Sequence, residues 1–479
     1  MAYQAYKNAM PRIESGLPLA TGPTLEGIKN EPFLTGVGIS MYQNSGCGGA
    51  PTNWSVFGEQ KGGLCWRPRV HKHESPDDCS PDFWNNYEKD IKLVKELGSN
   101  CFRFSFEWGK LEPKLGEWDE AAFKRYEEII MCLLDNRLEP CVTLYHFVHP
   151  YWFEEAGGFD DKDNLGLFVA FCKEVFRRFG QYIKLWLTIN EVAVVPYTGY
   201  VYGSHPPGGV GKFYKAGILY RNLLIGHSMA YKAMKAMPHG QEARIGIVHD
   251  WLIFEPKGEG WKYAHIRPIC NLMNKCWGNT QFLEWFTRGT FTWKPFSFAK
   301  EVKYAYHEQP GLDWVGLNYY SRAVLSASFK PTCHVHEDMT DMPYGIYPDG
   351  MMRAIKYCAQ LGKPIYITET GISTTCEAKR EKLIRMYCDQ IKKAVHDGYD
   401  VRGLMYWTLV DNFEWSYGFS QNFGLYGWDK DTNERIPRPG VEVIKDCFSD
   451  LDKSIPDLKI GASPDHNNVF LVLPEEPSL

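Results

Sequence analysis

The chain has 479 residues, of which 44% are hydrophobic and 23% charged, an ordinary composition for a globular protein with ample material for a core. Its formal net charge of −5 excludes the basic surface by which many proteins attract nucleic acid or anionic membranes. The sequence contains no stretch of about 18 apolar residues, so no membrane span is predicted.

The cysteines and the first residues of the chain indicate the cellular compartment of the protein. The segment from Met1 to Pro18 has no apolar run of signal-peptide length. The 14 cysteines are scattered singly from Cys47 to Cys447, without the spacing of a disulfide framework. We therefore predict a cytoplasmic protein with reduced thiols.

Eight short β-rich segments recur along the chain, with helical patterns between them. Several are near-continuous apolar runs, as expected of parallel strands buried on both faces. The predicted strands are Phe33 to Ile39, Cys101 to Phe106, Pro140 to His146, Lys184 to Ile189, Arg244 to His249, Asp313 to Tyr319, Ile365 to Thr368 and Arg402 to Thr408.

The clearest helical patterns are Tyr87 to Leu97 and Lys382 to His396, where apolar residues recur every three or four positions. Strand and helix alternating eight times is typical of the α/β class and of a (β/α)8, or TIM, barrel. We predict one such barrel over residues 1–479, with long loops after the strands and a loose tail from about residue 454.

Two glutamates directly follow predicted strands, Glu191 after the fourth and Glu369 after the seventh. In a barrel enzyme the chemistry lies at the carboxyl ends of the strands, and strands four and seven face each other across the mouth. Each residue alone would more often be a strand-end cap or a surface ion pair. Two carboxylates in one pocket, each beside further polar groups, are what glycoside hydrolysis requires.

Four motifs in chain order resemble glycoside hydrolase family 1, the β-glucosidase family, over most of the chain. They are Phe33–Gly38 running into Tyr42 and Gln43, Thr188–Glu191 around the acid/base, Tyr366–Gly371 around the nucleophile, and Tyr406–Trp415 around strand eight. Membership in this family implies a retaining β-glycosidase that hydrolyses terminal β-D-glycosyl residues of a small β-glycoside or oligosaccharide.

The resemblance also implies roles for individual residues. Glu369 is expected to be the nucleophile and Glu191 the acid/base, with carboxyl groups roughly 5–5.5 Å apart. Arg103, Asn318 and Tyr320 are expected to support these carboxyl groups. The pocket for the non-reducing sugar is expected to comprise Gln43, His146, Asn190, Trp407, Glu414 and Trp415.

The sequence departs from the family pattern next to both catalytic positions. Val192 stands where proline usually follows the acid/base, and Thr370 stands where asparagine usually follows the nucleophile. Lys110, Val148 and Asn422 are further departures from the usual residues. None removes a catalytic group, but a misplacement of about 1 Å at a reacting group costs roughly a hundredfold in rate.

Neither a cofactor nor a metal site is predicted. The cluster Cys333–His336 has no second ligand pair at zinc spacing, and Gly208–Lys212 lacks the leading glycine and the Ser or Thr of a phosphate-binding loop. Small-molecule glycosides are the expected partners, and nucleic acid and membranes are not.

Several alternatives stay open at the level of sequence. A non-catalytic sugar- or partner-binding barrel, a 6-phospho-β-glycosidase and a transglycosylase would share the fold. Glu414 disfavours the second, because its carboxylate would repel a phosphate dianion. The preference among glucose, galactose and fucose, the leaving group that the loops Gly203–Phe213 and Lys257–Trp293 accept, and the oligomeric state are not determined by the sequence.

Overall fold

A computed structural model describes residues 32–62 and 67–454 and forms a closed barrel of eight parallel strands. The strands are β1 (Leu34–Gly38), β2 (Cys101–Ser105), β3 (Glu139–Tyr145), β4 (Leu185–Ile189), β5 (Arg244–Asp250), β6 (Trp314–Asn318), β7 (Ile365–Thr370) and β8 (Val401–Trp407). All eight coincide with predicted strands, so the predicted fold class is confirmed. The segment Met1–Pro18 and the predicted tail beyond residue 454 lie outside the described residues.

Nine helices of ten or more residues occur in the described part of the chain. They are α1 (Phe83–Glu96), α2 (Glu120–Asp135), α3 (Leu165–Phe179), α4 (Phe213–Lys235), α5 (Arg267–Trp277), α6 (Asn279–Arg288), α7 (Pro348–Ala359), α8 (Glu377–His396) and α9 (Gly440–Ser454). None of the helices in residues 32–62 and 67–454 combines the length and apolar character needed to cross a bilayer.

The amphipathic pattern of α8 shows why the sequence forms these outer helices. Its buried residues include Leu383, Tyr387, Cys388 and Ile391, which recur every three or four positions and therefore share one face. Since an isolated helix is marginal in water, burial of this face stabilises α8 in place.

The interior of the barrel is filled by side chains from all eight strands. One buried cluster consists of Leu34, Cys101, Cys141, Leu185, Leu187, Val248, Trp314, Tyr366 and Met405, and each strand contributes at least one of them. The barrel is therefore a packed core, and space for a ligand exists only beyond the ends of the strands.

The strand order around the barrel is β1–β8–β7–β6–β5–β4–β3–β2. Strands β4 and β7 flank the neighbouring pair β5 and β6, whereas β8, β1, β2 and β3 complete the ring on the other side. Because all the strands are parallel, their carboxyl ends surround one mouth. Residues that end or directly follow β4 to β8 therefore lie around the same opening.

Short strands and helices connect the elements of the barrel. The strand Phe254–Pro256, after β5, pairs in parallel with Ala323–Leu325, after β6. The other short strands are Lys61–Gly62 with Arg67–Pro68, Thr290–Trp293 with Val302–Ala305, Pro331–Thr332, and Tyr426–Trp428 with Arg435–Pro437. The short helices include Met41–Ser45, Asn53–Glu59, Trp108–Leu111 and Tyr151–Glu155.

Candidate active site

A cavity of about 660 Å³ opens at the carboxyl ends of the barrel strands. Eight of the eleven residues predicted from the sequence line it, namely His146, Asn190, Glu191, Tyr320, Glu369, Trp407, Glu414 and Trp415. Arg103, Asn318 and Gln43 are fully buried and do not line it. Arg103 and Asn318 contact its lining residues directly, as described next.

Glu369 is held by two donors that come from different strands. Arg103 Nη1 lies 2.5 Å from one carboxylate oxygen, and the Tyr320 hydroxyl donates to the other at 2.8 Å. Arg103 is in the middle of β2 rather than at its end, and it also donates to the carbonyl of Thr368 at 3.1 Å. The guanidinium supplies an opposite charge, and the two donors together orient the carboxylate.

Glu191 occupies a contrasting environment. Its one hydrogen-bond donor among the described residues is Asn318 Nδ2, at 2.9 Å. Burial raises the pKa of the Glu191 carboxyl well above its usual range, and the charges of Glu369 and Asp250 raise it further. Glu191 therefore holds a proton that an exposed glutamate would lose.

A network of amides fixes the positions of both carboxyl groups. Asn190 Oδ1 accepts a hydrogen bond from Arg103 Nη2 at 2.7 Å, and Asn190 Nδ2 lies 3.3 Å from His146 Nε2. Asn318 Oδ1 accepts from the Thr368 hydroxyl at 2.7 Å. Because the Asn318 amide oxygen is bound by Thr368, its nitrogen is directed toward Glu191.

Several buried polar atoms near the site have no hydrogen-bond partner in the described part of the protein, among them Gln43 Oε1, His146 Nδ1 and Glu414 Oε2. Gln43 is oriented by its own nitrogen, which donates to the Phe413 carbonyl at 2.8 Å. Buried polar groups are normally paired, so unpaired atoms gathered in one region indicate a polar ligand.

Burial changes the protonation of these groups. It raises the pKa of Glu414 to about 8, with a further contribution from the charge of Glu369. Burial also holds the pKa of His146 well below its usual range, and the charge of Arg103 adds to this effect. Glu414 thus carries a proton at neutral pH and His146 is neutral, so both can donate and accept hydrogen bonds.

Aromatic rings form part of the wall beside these polar groups. The His146 ring lies parallel to Trp407 with centroids 5.8 Å apart, and Trp415 lies 6.1 Å from it on a similar plane. Tyr42 stacks behind Trp415 at 6.4 Å. Flat apolar rings beside polar groups are suited to a ligand with an apolar face and polar edges.

The backbone is strained where it enters the cavity. Phe147, Glu191 and Trp415, which all line the cavity, have φ angles of +69°, +43° and +49°. Non-glycine residues rarely adopt this left-handed conformation, because it costs free energy that the surrounding structure must offset. Such residues concentrate at functional sites.

The structure shows the environments of the two residues, Val192 and Thr370, that depart from the family pattern beside the catalytic glutamates. The Val192 backbone N–H donates to the Val248 carbonyl at 3.2 Å, a hydrogen bond that proline at this position would not make. Thr370 is buried, and its hydroxyl has no partner among the described residues. A Cβ on Gly371 would lie 2.0 Å from the Trp407 carbonyl oxygen, which explains the glycine of this motif.

Asp250 and Tyr344 are among the lining residues that sequence reasoning missed. Asp250 ends β5, directly after the predicted strand Arg244–His249, so the rule that selected Glu191 would also have selected Asp250. Tyr344 lies in an irregular segment that is distant in sequence from every barrel strand, and no local sequence pattern identifies it as a lining residue. In residues 32–62 and 67–454, no group of three or more His, Cys, Asp or Glu residues is placed to hold a metal ion.

The cavity thus contains one ion-paired carboxylate and one proton-bearing carboxyl group, at the mouth of a (β/α)8 barrel. This is the pair of groups that glycoside hydrolases use. The family model for Glycosyl hydrolase family 1 matches residues 29–449. The chain therefore belongs to glycosyl hydrolase family 1 and is a glycoside hydrolase, as the motifs predicted.

Relatives with known names and structures agree with this assignment. Beta-glucosidase A of Thermotoga maritima is 30% identical over 435 residues, which cover 85% of this chain and 94% of the relative. The solved structure of a Thermotoga maritima beta-glucosidase in complex with glucoimidazole matches with a TM-score of 0.77 at 28% identity, covering 88% of this chain and 98% of the other. A beta-glycosidase from Pyrococcus horikoshii matches with a TM-score of 0.74 at 31% identity, covering 90% and 98%.

Proposed function

We propose that this protein is a retaining β-glycosidase that hydrolyses terminal, non-reducing β-D-glucosyl residues of unphosphorylated β-glucosides. Glu369 is the nucleophile and Glu191 the acid/base. The observation that carries this proposal is the contrast between the two carboxyl groups. Arg103 and Tyr320 hold Glu369 as an oriented anion, whereas burial and the charge of Glu369 keep Glu191 protonated.

The reaction proceeds in two displacements. Glu369 attacks the anomeric carbon while Glu191 donates its proton to the leaving oxygen, and a covalent glycosyl-enzyme forms. Esterification removes the charge of Glu369, so the pKa of Glu191 falls. Glu191 then takes a proton from water, which attacks the anomeric carbon and releases the sugar. Two inversions give net retention, for which we expect carboxyl groups roughly 5–5.5 Å apart.

Asn190, one of the six residues assigned to the sugar, follows β4 and binds Arg103. The other five form a sugar half of the cavity, defined here as His146, Trp407, Glu414 and Trp415, with Gln43 behind them. They follow β1, β3 and β8, on the side of the barrel away from β5 and β6. Their unpaired polar atoms can bind hydroxyl groups, and the indole rings can pack against a pyranose face.

An unphosphorylated sugar is favoured by the charges around the cavity. Glu414 lies in the sugar half, and the described residues that line the cavity include no lysine or arginine. A phosphate dianion would have no cationic partner there and would be repelled by Glu369. The names of the relatives, which are beta-glucosidases, favour glucose over other sugars.

A cytoplasmic location is also part of the proposal. All thirteen cysteines within residues 32–62 and 67–454 are free thiols, as expected for a protein in a reducing compartment.

The test is nitrophenol release from aryl β-glucoside, β-galactoside and β-glucoside 6-phosphate. We expect turnover of β-glucoside, and a loss of at least about ten-thousandfold in kcat for Glu369→Gln, because the variant lacks its nucleophile. Glu117→Gln, at an exposed carboxylate with 67% of its side chain accessible, is the matched control and should retain wild-type activity.

Each remaining outcome has a defined meaning. Proton NMR should detect β-glucose as the first product, and α-glucose would contradict retention. Preference for the phosphorylated sugar would contradict the assignment of an unphosphorylated sugar to the half of the cavity that contains Glu414. A folded protein without turnover of any substrate would instead be a sugar-binding barrel, and accumulation of larger glycosides would identify a transglycosylase.

A further inference from the structure

The side of the cavity formed by β5 and β6 differs from the sugar half. It is lined by an apolar wall, defined here as Leu252, Phe254, Ile269, Met273, Trp277 and Leu325. These residues come from the segments that follow β5 and β6, between the strands that carry the two catalytic glutamates. Since the proposed sugar half follows β1, β3 and β8 on the other side of the cavity, we assign the apolar wall to the leaving group.

Strand pairing, ring packing and a hydrogen bond hold the apolar wall in place. The strand Phe254–Pro256 pairs with Ala323–Leu325, and the Trp277 ring packs against Tyr197 with centroids 5.1 Å apart. The indole N–H of Trp277 donates to the backbone carbonyl of Asp250 at 2.9 Å. This hydrogen bond ties the wall to the end of β5.

The Asp250 side chain lines the same cavity. Asp250 is paired in register with Asn318, the residue that hydrogen-bonds Glu191. Its carboxylate has no hydrogen-bond or ion-pair partner within residues 32–62 and 67–454. Burial raises the pKa of Asp250 and the charge of Glu369 raises it further, whereas an ammonium group bound beside it would lower that pKa and favour the carboxylate. A partly desolvated carboxylate without a partner is costly unless a ligand satisfies it.

The balance of charge around the cavity favours a cationic partner over an anionic one. Within residues 32–62 and 67–454, four carboxyl side chains line the cavity, and no lysine or arginine does. Arg103, behind the lining, is bound to Glu369 and leaves Asp250 unneutralised. His146 and His205 also line the cavity, but burial lowers their pKa, that of His205 to about 3, so neither supplies a positive charge.

We propose that Asp250 is a specificity-determining residue, which selects leaving groups that carry an ammonium group close to the glycosidic oxygen on an otherwise apolar body. The natural substrates are then β-glucosides of hydrophobic amino alcohols. This proposal rests on the proposed function, because it assigns the leaving group of the same reaction.

The physical basis is the difference between a charged and a neutral donor in an apolar setting. An ammonium group forms a charge-assisted hydrogen bond with a carboxylate, which is about twice as strong as one between neutral groups. A hydroxyl group at the same position gains less, and a carboxylate is repelled. The remaining carbon chain lies on the apolar wall, where each buried CH2 group improves binding about fourfold.

The test uses three β-glucosides with eight-carbon leaving groups: 2-aminooctyl, 2-hydroxyoctyl and octyl. Wild type and Asp250→Asn are compared by the ratio of kcat/KM for each polar substrate to that for octyl glucoside. Because an amine also changes the intrinsic reactivity of the leaving group, the difference in this ratio between the two proteins is the relevant quantity.

We expect the aminooctyl ratio to fall at least about tenfold in Asp250→Asn and the hydroxyoctyl ratio to change less than threefold. In wild type, the aminooctyl preference should also weaken as the pH falls, because protons then compete with the ammonium group for the Asp250 carboxylate. Asp135→Asn, on an exposed residue at the last turn of α2, makes the same change in net charge and should alter neither ratio.

An unchanged aminooctyl ratio in Asp250→Asn would overturn the proposal. A hydroxyoctyl ratio that falls as much as the aminooctyl ratio would overturn the ammonium assignment. Failure of the proposed function is distinguishable, because wild type would then hydrolyse neither octyl nor nitrophenyl glucoside.

Discussion

The sugar half and the apolar wall are two regions of one cavity that recognise a ligand by different physics. The sugar half presents buried polar atoms without partners, such as Gln43 Oε1 and Glu414 Oε2. The apolar wall presents hydrocarbon surface and one unpaired carboxylate, Asp250. A site built to bind hydroxyl groups rejects an analogue that lacks one by about four orders of magnitude, whereas one CH2 group buried on an apolar wall improves binding only about fourfold.

The difference implies a division of selectivity. We expect this enzyme to be strict toward the sugar and graded toward the leaving group. The two regions also differ in their origin, because the sugar half follows β1, β3 and β8, whereas the apolar wall comes from the segments that follow β5 and β6. Such connecting segments vary more readily than barrel strands, so the leaving group is where members of this fold diverge most easily.

After removal of the nucleophile itself, the largest effect is expected at the ion pair between Arg103 and Glu369. Arg103→Met leaves the buried Glu369 without its cation, so we expect kcat to fall about a hundredfold or more and the free energy of unfolding to fall by about 3–5 kcal/mol. Steady-state kinetics on both alkyl and aryl glucosides, with urea unfolding, measure the two quantities.

A second buried ion pair provides the control. Arg435 binds Asp90 through two hydrogen bonds of 2.8 Å, with side-chain accessibilities of 1% and 2%, and neither residue lines the cavity. Arg435→Met should lose similar stability and keep wild-type kcat. If it loses as much kcat as Arg103→Met, the effect of Arg103 is on the fold rather than on Glu369.

A moderate effect is expected in the sugar half. Glu414→Gln should lower kcat/KM about ten- to a hundredfold for every β-glucoside, whatever its leaving group, because one hydroxyl of the sugar loses a matched partner. A loss that depends on the leaving group would place Glu414 outside the sugar half.

The same variant should alter the pH dependence of stability. The pKa of Glu414 is about 8 in the folded protein and about 4.5 when unfolded, so the folded state keeps a proton that the unfolded state releases. Stability is therefore lost as the pH rises from about 4.5 to 8. Glu414→Gln should be about 1–3 kcal/mol more stable than wild type in urea at pH 8 and equal to it at pH 4. Equal stability at both pH values would contradict the raised pKa.

The smallest effect is expected on the apolar wall. Leu325→Ala removes buried hydrocarbon, so kcat/KM for octyl β-glucoside should fall about five- to tenfold, with no change for methyl β-glucoside. Leu361→Ala, at a leucine that does not line the cavity, is the control and should affect neither substrate. Equal losses on octyl and methyl glucosides would show that Leu325 acts on the fold.

The fold and the enzyme class could be predicted from the sequence. The eight apolar runs predicted the eight barrel strands, and the family motifs predicted the enzyme class, both of which are confirmed. The roles of the site residues and the cytoplasmic location remain predictions. Gln43 is an example of what the residue pattern could not predict. Its side chain is fully buried behind the lining, and no local pattern shows this.

The sequence alone determined the barrel and the two glutamates, because strand periodicity and strand ends are local properties of the chain. Tertiary structure decided which groups have partners. Arg103 reaches Glu369 from the middle of β2, and Asp250 lacks a partner only because of how the segments around it pack. Protonation follows from the same packing, since burial and neighbouring charge set the pKa of Glu191 and Glu414. Residues far apart in the chain create these environments, so no window of sequence contains them.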